Sequence, residues 1–362
     1  FLDPAERRGL AAITGAMLRR GGTTSLAAEE FDERVDFLAA NMGSFTAYTS
    51  GGASFDCTTT VLDETMALFF DMLKNPRFQD DRLRVEKDNL VENMKQRNDS
   101  PQSISGREWQ WLMRGSDHFS TRQLTKADLD VLARDAIVEF HKKYWRPENM
   151  IVGVSGDVNT AEVVKKLETH FANWKVSGPA VPWPPPAPTY TPTPGVYYVQ
   201  KDIPQGRALI GHPGLKRRSW EDPDEFALMV MNDILGGGGF TSRIVKRIRS
   251  DEGLAYSASS QFGIGTWWPG NFQVSFQSKS ATVPLASKIA IEEIERIKTE
   301  KVSADELTVS KNSFVDVFPR QFESAEDIVD TFMSDEYEGR PHTYWKTYRD
   351  RIRAVTADDV QR

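Results

Sequence analysis

Apolar residues recur along this chain at two periods, and the change from one to the other marks its elements. In "GLAAITGAMLRRGG", residues 9–22, Leu10, Ile13 and Met17 repeat at the spacing of one helix face and the segment ends on a glycine pair, which predicts a helix. The opposite face is bare. At about 100° per residue, positions 12, 15, 16 and 19 lie together, and the first three are Ala12, Gly15 and Ala16. A strand pair and further helices follow. "NMIVGVSGDV", residues 149–158, reads as a buried strand, and "NTAEVVKKLETHFANW", residues 159–174, as an amphipathic helix capped by Asn159. Later, "GVYYVQK" (195–201) and "RALIGHP" (207–213) predict strands, and "DEFALMVMNDIL" (224–235) predicts a helix. "GLAYSASSQFG" (253–263) and "GNFQVSFQSK" (270–279) predict two more strands, and "VPLASKIAIEEIERIK" (283–298) a last long helix. Mixed runs of this kind predict an α+β class with an α/β sandwich in each half.

Prolines crowd "SGPAVPWPPPAPTYTPTPG", residues 177–195, where they deny helix and favour extended polyproline structure. The stretch predicts a semi-rigid linker, 178–195, between an N-terminal domain, 1–177, and a C-terminal domain, 196–362. The halves echo each other. "DPAERRGLAAITGAMLRRGG" and "DPDEFALMVMNDILGGGG" each run from Asp-Pro through a helix to glycines, and "LDVLARDAI" (129–137) resembles "IRAVTADDV" (352–360), so an internal duplication is expected. In the first half that second element leads into a strand and a helix, so the repeat predicts a matching segment of about 35–40 residues beyond Arg362. It also predicts strands ahead of the first helix.

At 362 residues the chain exceeds the size at which one core stops growing, which supports two domains. Charged residues make up 27% and mean hydropathy is −0.48, the composition of a folded globular protein, and no apolar run reaches the length of a bilayer span. Net charge is −7 and the one dense basic run, Lys216-Arg217-Arg218, sits among Trp220 and acids, so the electrostatic footprint of a nucleic-acid binder is absent. Cys57 is the single cysteine, which excludes an internal disulfide and a cysteine-built zinc site.

The bare helix face carries the chemical question. The spacing i, i+3, i+4 is where an H-x-x-E-H helix places two zinc-binding imidazoles and the glutamate that activates water. His118, His141, His170, His212 and His342 fall at no helical or strand spacing that rebuilds such a site. The run Gly236, Gly237, Gly238, Gly239 lacks the Lys-Ser/Thr of a phosphate loop and follows a helix rather than a strand, so it reads as a helix end.

Taken with its continuation, the opening helix resembles the "GLAHxxEHMLFxGT" segment of the insulinase/pitrilysin family of inverted-zincin metallopeptidases. "NMGSFTAYTSGGASFDCTTTV" resembles that family's edge strand, "NPRFQDDRLRVEKDNLVENMKQRNDSP" its third-ligand helix, and "NDILGGGGFTSRIVKRIRSDEGLAYS" one of its most recognisable stretches. The resemblance covers nearly the whole chain and implies two homologous domains forming half of a clamshell. It places the family's histidines at Ala12 and Ala16, its catalytic glutamate at Gly15 and its third ligand at Asn93, so this chain is expected to bind no zinc and to be inactive alone. Glu92 is one position off, rotated about 100° from the metal side. Glu86 matches a second acidic position, and a lone glutamate on a charged helix reads as part of a solvated face.

By the same resemblance, Arg249 and Tyr256 would hold a peptide carbonyl and its developing oxyanion, work suited to a guanidinium fork and a phenol. The glycines 236–239 would help admit substrate, and Phe45, Thr46 and Ala47 would offer a strand edge to an extended peptide. The chain is thus expected to be the non-catalytic partner of an H-x-x-E-H subunit that supplies zinc, in a heterodimer acting on peptides. A structural assembly subunit and a peptide-binding module without a catalytic partner are the alternatives. A periplasmic location is the first expectation and a cytoplasmic one the second.

Overall fold

The computed structural model describes residues 1–172, 174 and 178–362, so Ser177, the first residue of the proline-rich run, lies outside the described residues. Two compact units emerge, Phe1–Arg97 with Arg122–Pro185, and Asn98–Thr121 with Pro186–Arg362. The division at Pro185 falls inside the proline-rich stretch, but residues 98–121, assigned by sequence to the N-terminal domain, go with the second unit.

In chain order the first unit begins with α1 (Leu10–Arg20), α2 (Ala28–Phe37), the strands β1 (Asn41–Thr46) and β2 (Gly51–Asp56), α3 (Leu62–Lys74) and α4 (Asp80–Gln96). Helix α5 (Pro101–Arg114) belongs to the second unit, and α6 (Lys126–Asp130), α7 (Arg134–Tyr144) and α8 (Thr160–Ala172) return to the first. The apolar stripe of α1 does what its period demands: Leu10, Ile13 and Met17 are buried with Phe78, Leu83, Leu132, Ile137 and Phe140. The Asp3 carboxylate accepts from the amides of Gly9 and Ala11, both at 2.7 Å, which satisfies donors that an uncapped helix start leaves open. Strands β1 and β2 form an antiparallel ribbon, Asn41 opposite Asp56 and Thr46 opposite Gly51.

The expected strand at 149–158 does not form. After a 3₁₀ turn at Pro147–Asn149 the backbone runs on without a ladder, and Ile151, Val152 and Val154 are exposed. The same holds at 195–201, where Val196 and Tyr198 stand in solvent. An apolar run becomes a strand only where another strand supplies hydrogen bonds, and none lies alongside either run among the described residues. The class is mixed helix and sheet as expected, but the sheet of the first unit is the β1–β2 ribbon rather than one layer of a sandwich.

The second unit holds β3 (Gln205–Pro213), β4 (Leu215–Lys216), α9 (Pro223–Asn232), α10 (Arg243–Val245), β5 (Ala255–Phe262), β6 (Ile264–Gly265) and β7 (Asn271–Lys279), then α11 (Val283–Thr299), α12 (Ala304–Val317), α13 (Ala325–Glu338), α14 (Tyr344–Ala354) and α15 (Ala357–Gln361). Its main sheet is antiparallel in the order β3-β7-β5. Phe272, Val274 and Phe276 alternate inward along β7 and pack with Val230, Ile234, Ile248, Ile289 and Ala290. On the other face of β7, Gln277 accepts from Gln102 of α5 at 2.7 Å, one of the bonds that ties α5 to this unit.

Candidate functional site

The bare face of α1 is closed by the neighbouring strand. Gly15 is buried, and a Cβ placed there would stand 2.4 Å from the Thr46 amide nitrogen and 2.6 Å from the Phe45 carbonyl carbon, so only glycine lets β1 pass this close. The approach is fixed by hydrogen bonds. The Ser44 hydroxyl donates to the Gly15 carbonyl (2.7 Å) and accepts from the Arg19 amide (3.0 Å), while Arg19 Nε donates to the Met42 carbonyl (3.0 Å). Ala12 is exposed and Ala16 half-buried.

Among the described residues strand β1 pairs with β2 alone in its sheet. Phe45 exposes its ring, but Thr46 is held against α1, and the Ala47 amide donates to the Ser50 carbonyl at 2.7 Å within the hairpin turn.

Asn93 is exposed on α4, and its neighbour Glu92 is taken by Lys95, whose ammonium at 2.9 Å and hydrogen bond hold the carboxyl below its usual range. Glu86 corrects the expectation of a solvated face: it is buried and paired with Arg20 from the last turn of α1, because α4 packs along that helix. Two methyl groups, a hydrogen and one exposed amide do not make the three or four donors zinc requires, and the space at position 15 is filled by strand backbone. These residues do not fit the metal. Among the described residues no cluster of three His, Cys, Asp or Glu exists elsewhere. Two of the histidines are absorbed into packing: His141 Nε2 lies 2.8 Å from the Leu73 carbonyl, with burial pushing its pKa down, and His170 stacks on Phe70.

The second unit arranges the other candidates differently. Helix α9 widens into a π-helical turn, Asp233–Gly237, an irregularity frequent at functional sites. Gly236 is buried, and a Cβ there would stand 2.7 Å from the Ser260 amide nitrogen on β5. Asn232 and Ser260 lock the contact by exchanging hydrogen bonds, Nδ2 to the Ser260 carbonyl (3.2 Å) and the Ser260 hydroxyl to Oδ1 (2.8 Å). The Gly238 amide donates to the Asp233 carbonyl (2.8 Å), and burial raises the pKa of the Asp233 carboxyl. Gly236, Gly237 and Gly238 are therefore close against Ser260, Asn232 and Asp233, while Gly239 stands in open space. Gly239 alone of the four has a positive φ, 65°.

The chain then turns into α10 and a second π-helical turn, Lys246–Asp251, which carries Arg249. Arg243 forks onto Glu306 (2.6 and 2.9 Å) and Arg247 pairs with Glu292 and Glu293. Arg249 has no such partner among the described residues. Its guanidinium carbon lies 4.3 Å from the centre of the Phe240 ring and 4.6 Å from that of Tyr256, so two aromatic faces hold it.

Tyr256 owes its position to a β-bulge. The β5–β7 register shifts between Ala255, opposite Ser278, and Ala258, opposite Phe276. Bulges of this kind re-aim side chains beside sites, and Tyr256 is 84% exposed. The structure thus brings Arg249 and Tyr256 together and adds Phe240, 65% exposed, which sequence reasoning missed. Its one signal was an aromatic placed immediately after a glycine run. Chemically, the cluster presents a guanidinium edge with free donors and a phenol to solvent, an arrangement suited to a carbonyl oxygen.

Comparison with known proteins agrees with this reading of the fold. A sequence profile for a family described as "Peptidase M16 inactive domain" matches residues 132–314, just over half of the chain, which takes in the Phe240–Arg249–Tyr256 cluster and leaves out α1 and α4. An uncharacterized zinc protease of Mycobacterium leprae is 29% identical over 252 residues, 67% of this chain and 54% of that protein. A second, from Streptomyces coelicolor, is 26% identical over 79% of this chain and 62% of its own length. The chain therefore spans little more than half the length of these relatives. A non-peptidase homolog, YmxG, of Helicobacter pylori is 22% identical over 99% of this chain and 82% of its own. Among solved structures, a peptidase M16 inactive domain from Pseudomonas fluorescens superposes with a TM-score of 0.84 at 20% identity, covering 99% of this chain and 85% of that one. No helix among the described residues is long and apolar enough to cross a membrane.

Proposed function

Because the chain belongs to the peptidase M16 family and the α1 face does not fit zinc, we propose that it is the non-catalytic, peptide-binding subunit of a two-subunit zinc endopeptidase. The observation that carries the proposal is Arg249, a half-buried guanidinium stacked between two rings, with no carboxylate or carbonyl bonded to it among the described residues. Every neighbouring arginine that serves the fold has its acid. A donor left open at a surface is suited to an acceptor brought from outside, and a peptide carbonyl matches both the fork and the phenol of Tyr256.

In this reading an H-x-x-E-H partner holds zinc, which supplies the activated water. Arg249 and Tyr256 orient the carbonyl and stabilise the charge that gathers on its oxygen. The names of the mycobacterial and streptomycete relatives, zinc proteases, support a proteolytic setting. The Helicobacter relative, a non-peptidase homolog that matches almost the whole chain, favours a second reading, peptide binding with no catalytic partner.

The test is hydrolysis of quenched peptides by this chain, by an H-x-x-E-H relative, and by the mixture. Chelator-sensitive cleavage is expected in the mixture above the rate of the relative alone. Arg249→Ala or Tyr256→Phe should lower it about 10²-fold, the loss typical of one oxyanion donor. No gain on mixing sinks the two-subunit reading, and unchanged turnover in both variants sinks the role of the pair.

A further inference from the structure

We infer that Phe240 is a third member of the site, a residue that positions Arg249 and selects peptides bearing an aromatic or bulky aliphatic side chain beside the carbonyl that Arg249 holds. The inference rests on the peptide-binding reading above and deepens it. Three observations lead there. First, the ring is not a loose surface group. Gly239 takes a left-handed turn at φ 65°, and the 3₁₀ turn Gly239–Thr241 that follows is pinned on both sides. The Thr241 hydroxyl donates to the Gly238 carbonyl (3.1 Å), and the Ser242 amide and hydroxyl donate to the Gly239 carbonyl (3.1 and 2.6 Å). Phe240 is carried out on rigid backbone and stays 65% exposed.

Second, stacking and hydrogen bonding use different parts of a guanidinium. Rings at 4.3 and 4.6 Å engage the π system, while the five N–H donors lie in the plane, so a stacked Arg249 keeps its hydrogen-bonding edge. Glu306 fixes Arg243 by taking two of its donors, whereas Phe240 and Tyr256 hold Arg249 and leave its donors open.

Third, the exposed ring area beside Arg249 is an apolar platform. An extended peptide that places a carbonyl on the guanidinium puts a neighbouring side chain within reach of it. Aromatic and aliphatic groups gain there through contact with the ring, and a glycine gains nothing.

The experiment is fluorescence anisotropy of acetylated, amidated pentapeptides on the intact chain, with Phe, Leu or Gly at the central position of an otherwise Gly/Ser sequence. Capping removes the terminal carboxylate as a competing ligand for Arg249. The wild-type chain is expected to prefer Phe over Gly about fivefold, the factor one aromatic contact supplies. Phe240→Ala should bring that ratio to within about twofold and weaken all the peptides through the released guanidinium. Phe240→Leu should keep a preference for Leu while losing most of the preference for Phe, and because residue 240 is exposed both variants are expected to melt like the wild type. If Arg249→Ala and Tyr256→Phe weaken every peptide while Phe240→Ala keeps the full Phe-over-Gly ratio, the inference is overturned and the peptide-binding reading stands. If no peptide binds the wild type, or Arg249→Ala changes nothing, the reading itself fails and takes the inference with it.

Discussion

Glycine brings a helix against a strand twice in this molecule, with opposite consequences. In the first unit Gly15 admits β1 onto α1, and Thr46 backbone fills the space where a side chain at position 15 would project. In the second, Gly236 admits the π-helical turn against Ser260 of β5, and the strand so anchored presents Tyr256 at its bulge to Arg249. One contact closes a surface that could have carried chemistry and the other assembles one. The difference lies in what surrounds the contact. Beside Gly15, Ser44 bonds to the helix backbone and Arg19 to Met42 and Asp32. Beyond Gly236 one cation is left with aromatic faces instead of an acid.

The largest expected effect comes from trying to reopen the closed face. Gly15→Glu drives a Cβ into backbone and buries a carboxylate without a partner, which together cost at least ~3 kcal/mol. Tm should fall by roughly 5–10 °C. Adding Ala12→His, Ala16→His and Asn93→Glu supplies the donors by number but not the room, so the quadruple variant is expected to hold no stoichiometric zinc by metal analysis. One zinc per chain at the wild-type Tm would show that β1 yields readily and that the closure is not a barrier.

Gly236→Ala separates the two contacts more finely. Its Cβ meets the Ser260 amide at 2.7 Å rather than the 2.4 Å found at Gly15, and overpacking of this kind costs ~1–3 kcal/mol. Because β5 also carries Tyr256, peptide binding should fall with stability, whereas Gly15→Ala should lower stability and leave binding alone. Equal effects of the two alanines on anisotropy would erase the distinction between a contact that closes and a contact that positions.

Much of this was legible in the sequence, and the misses share a cause. The α1 stripe and the alternation of β7 are local periodicities, and burial followed them. Arg249 and Tyr256 stood out through motif resemblance. The runs at 149–158 and 195–201 have strand patterns, but a strand is a pairing, and pairing is not encoded within seven to ten residues. Glu86 looked solvated because nothing local announces Arg20, which comes from another helix. The glycines 236–239 looked loose because a missing side chain reads the same whether it grants freedom or close approach. At Gly236 only the position of Ser260, on another strand, decides between them.

The smallest expected effect tests what holds the assembled region in place. Arg243 forks onto Glu306, and that hydrogen-bonded guanidinium holds the carboxyl down to about 2. A carboxyl whose folded pKa lies below its unfolded value near 4.5 contributes stability that is present above 4.5 and is lost as pH falls from there through about 2. Glu306 is partly exposed, so solvent screening limits the contribution to about 1 kcal/mol. Glu306→Gln should therefore melt roughly 2–4 °C below wild type at pH 7, with the gap narrowing below pH 4.5. A gap that stays constant down to pH 3 would mean that shape rather than charge secures the pair. Ile244 and Ile248, both fully buried, anchor the same segment independently of the ion pair. Peptide binding should then change less than about twofold in this variant. A loss as large as that of Arg249→Ala would instead make the Arg243–Glu306 fork the element that presents Arg249.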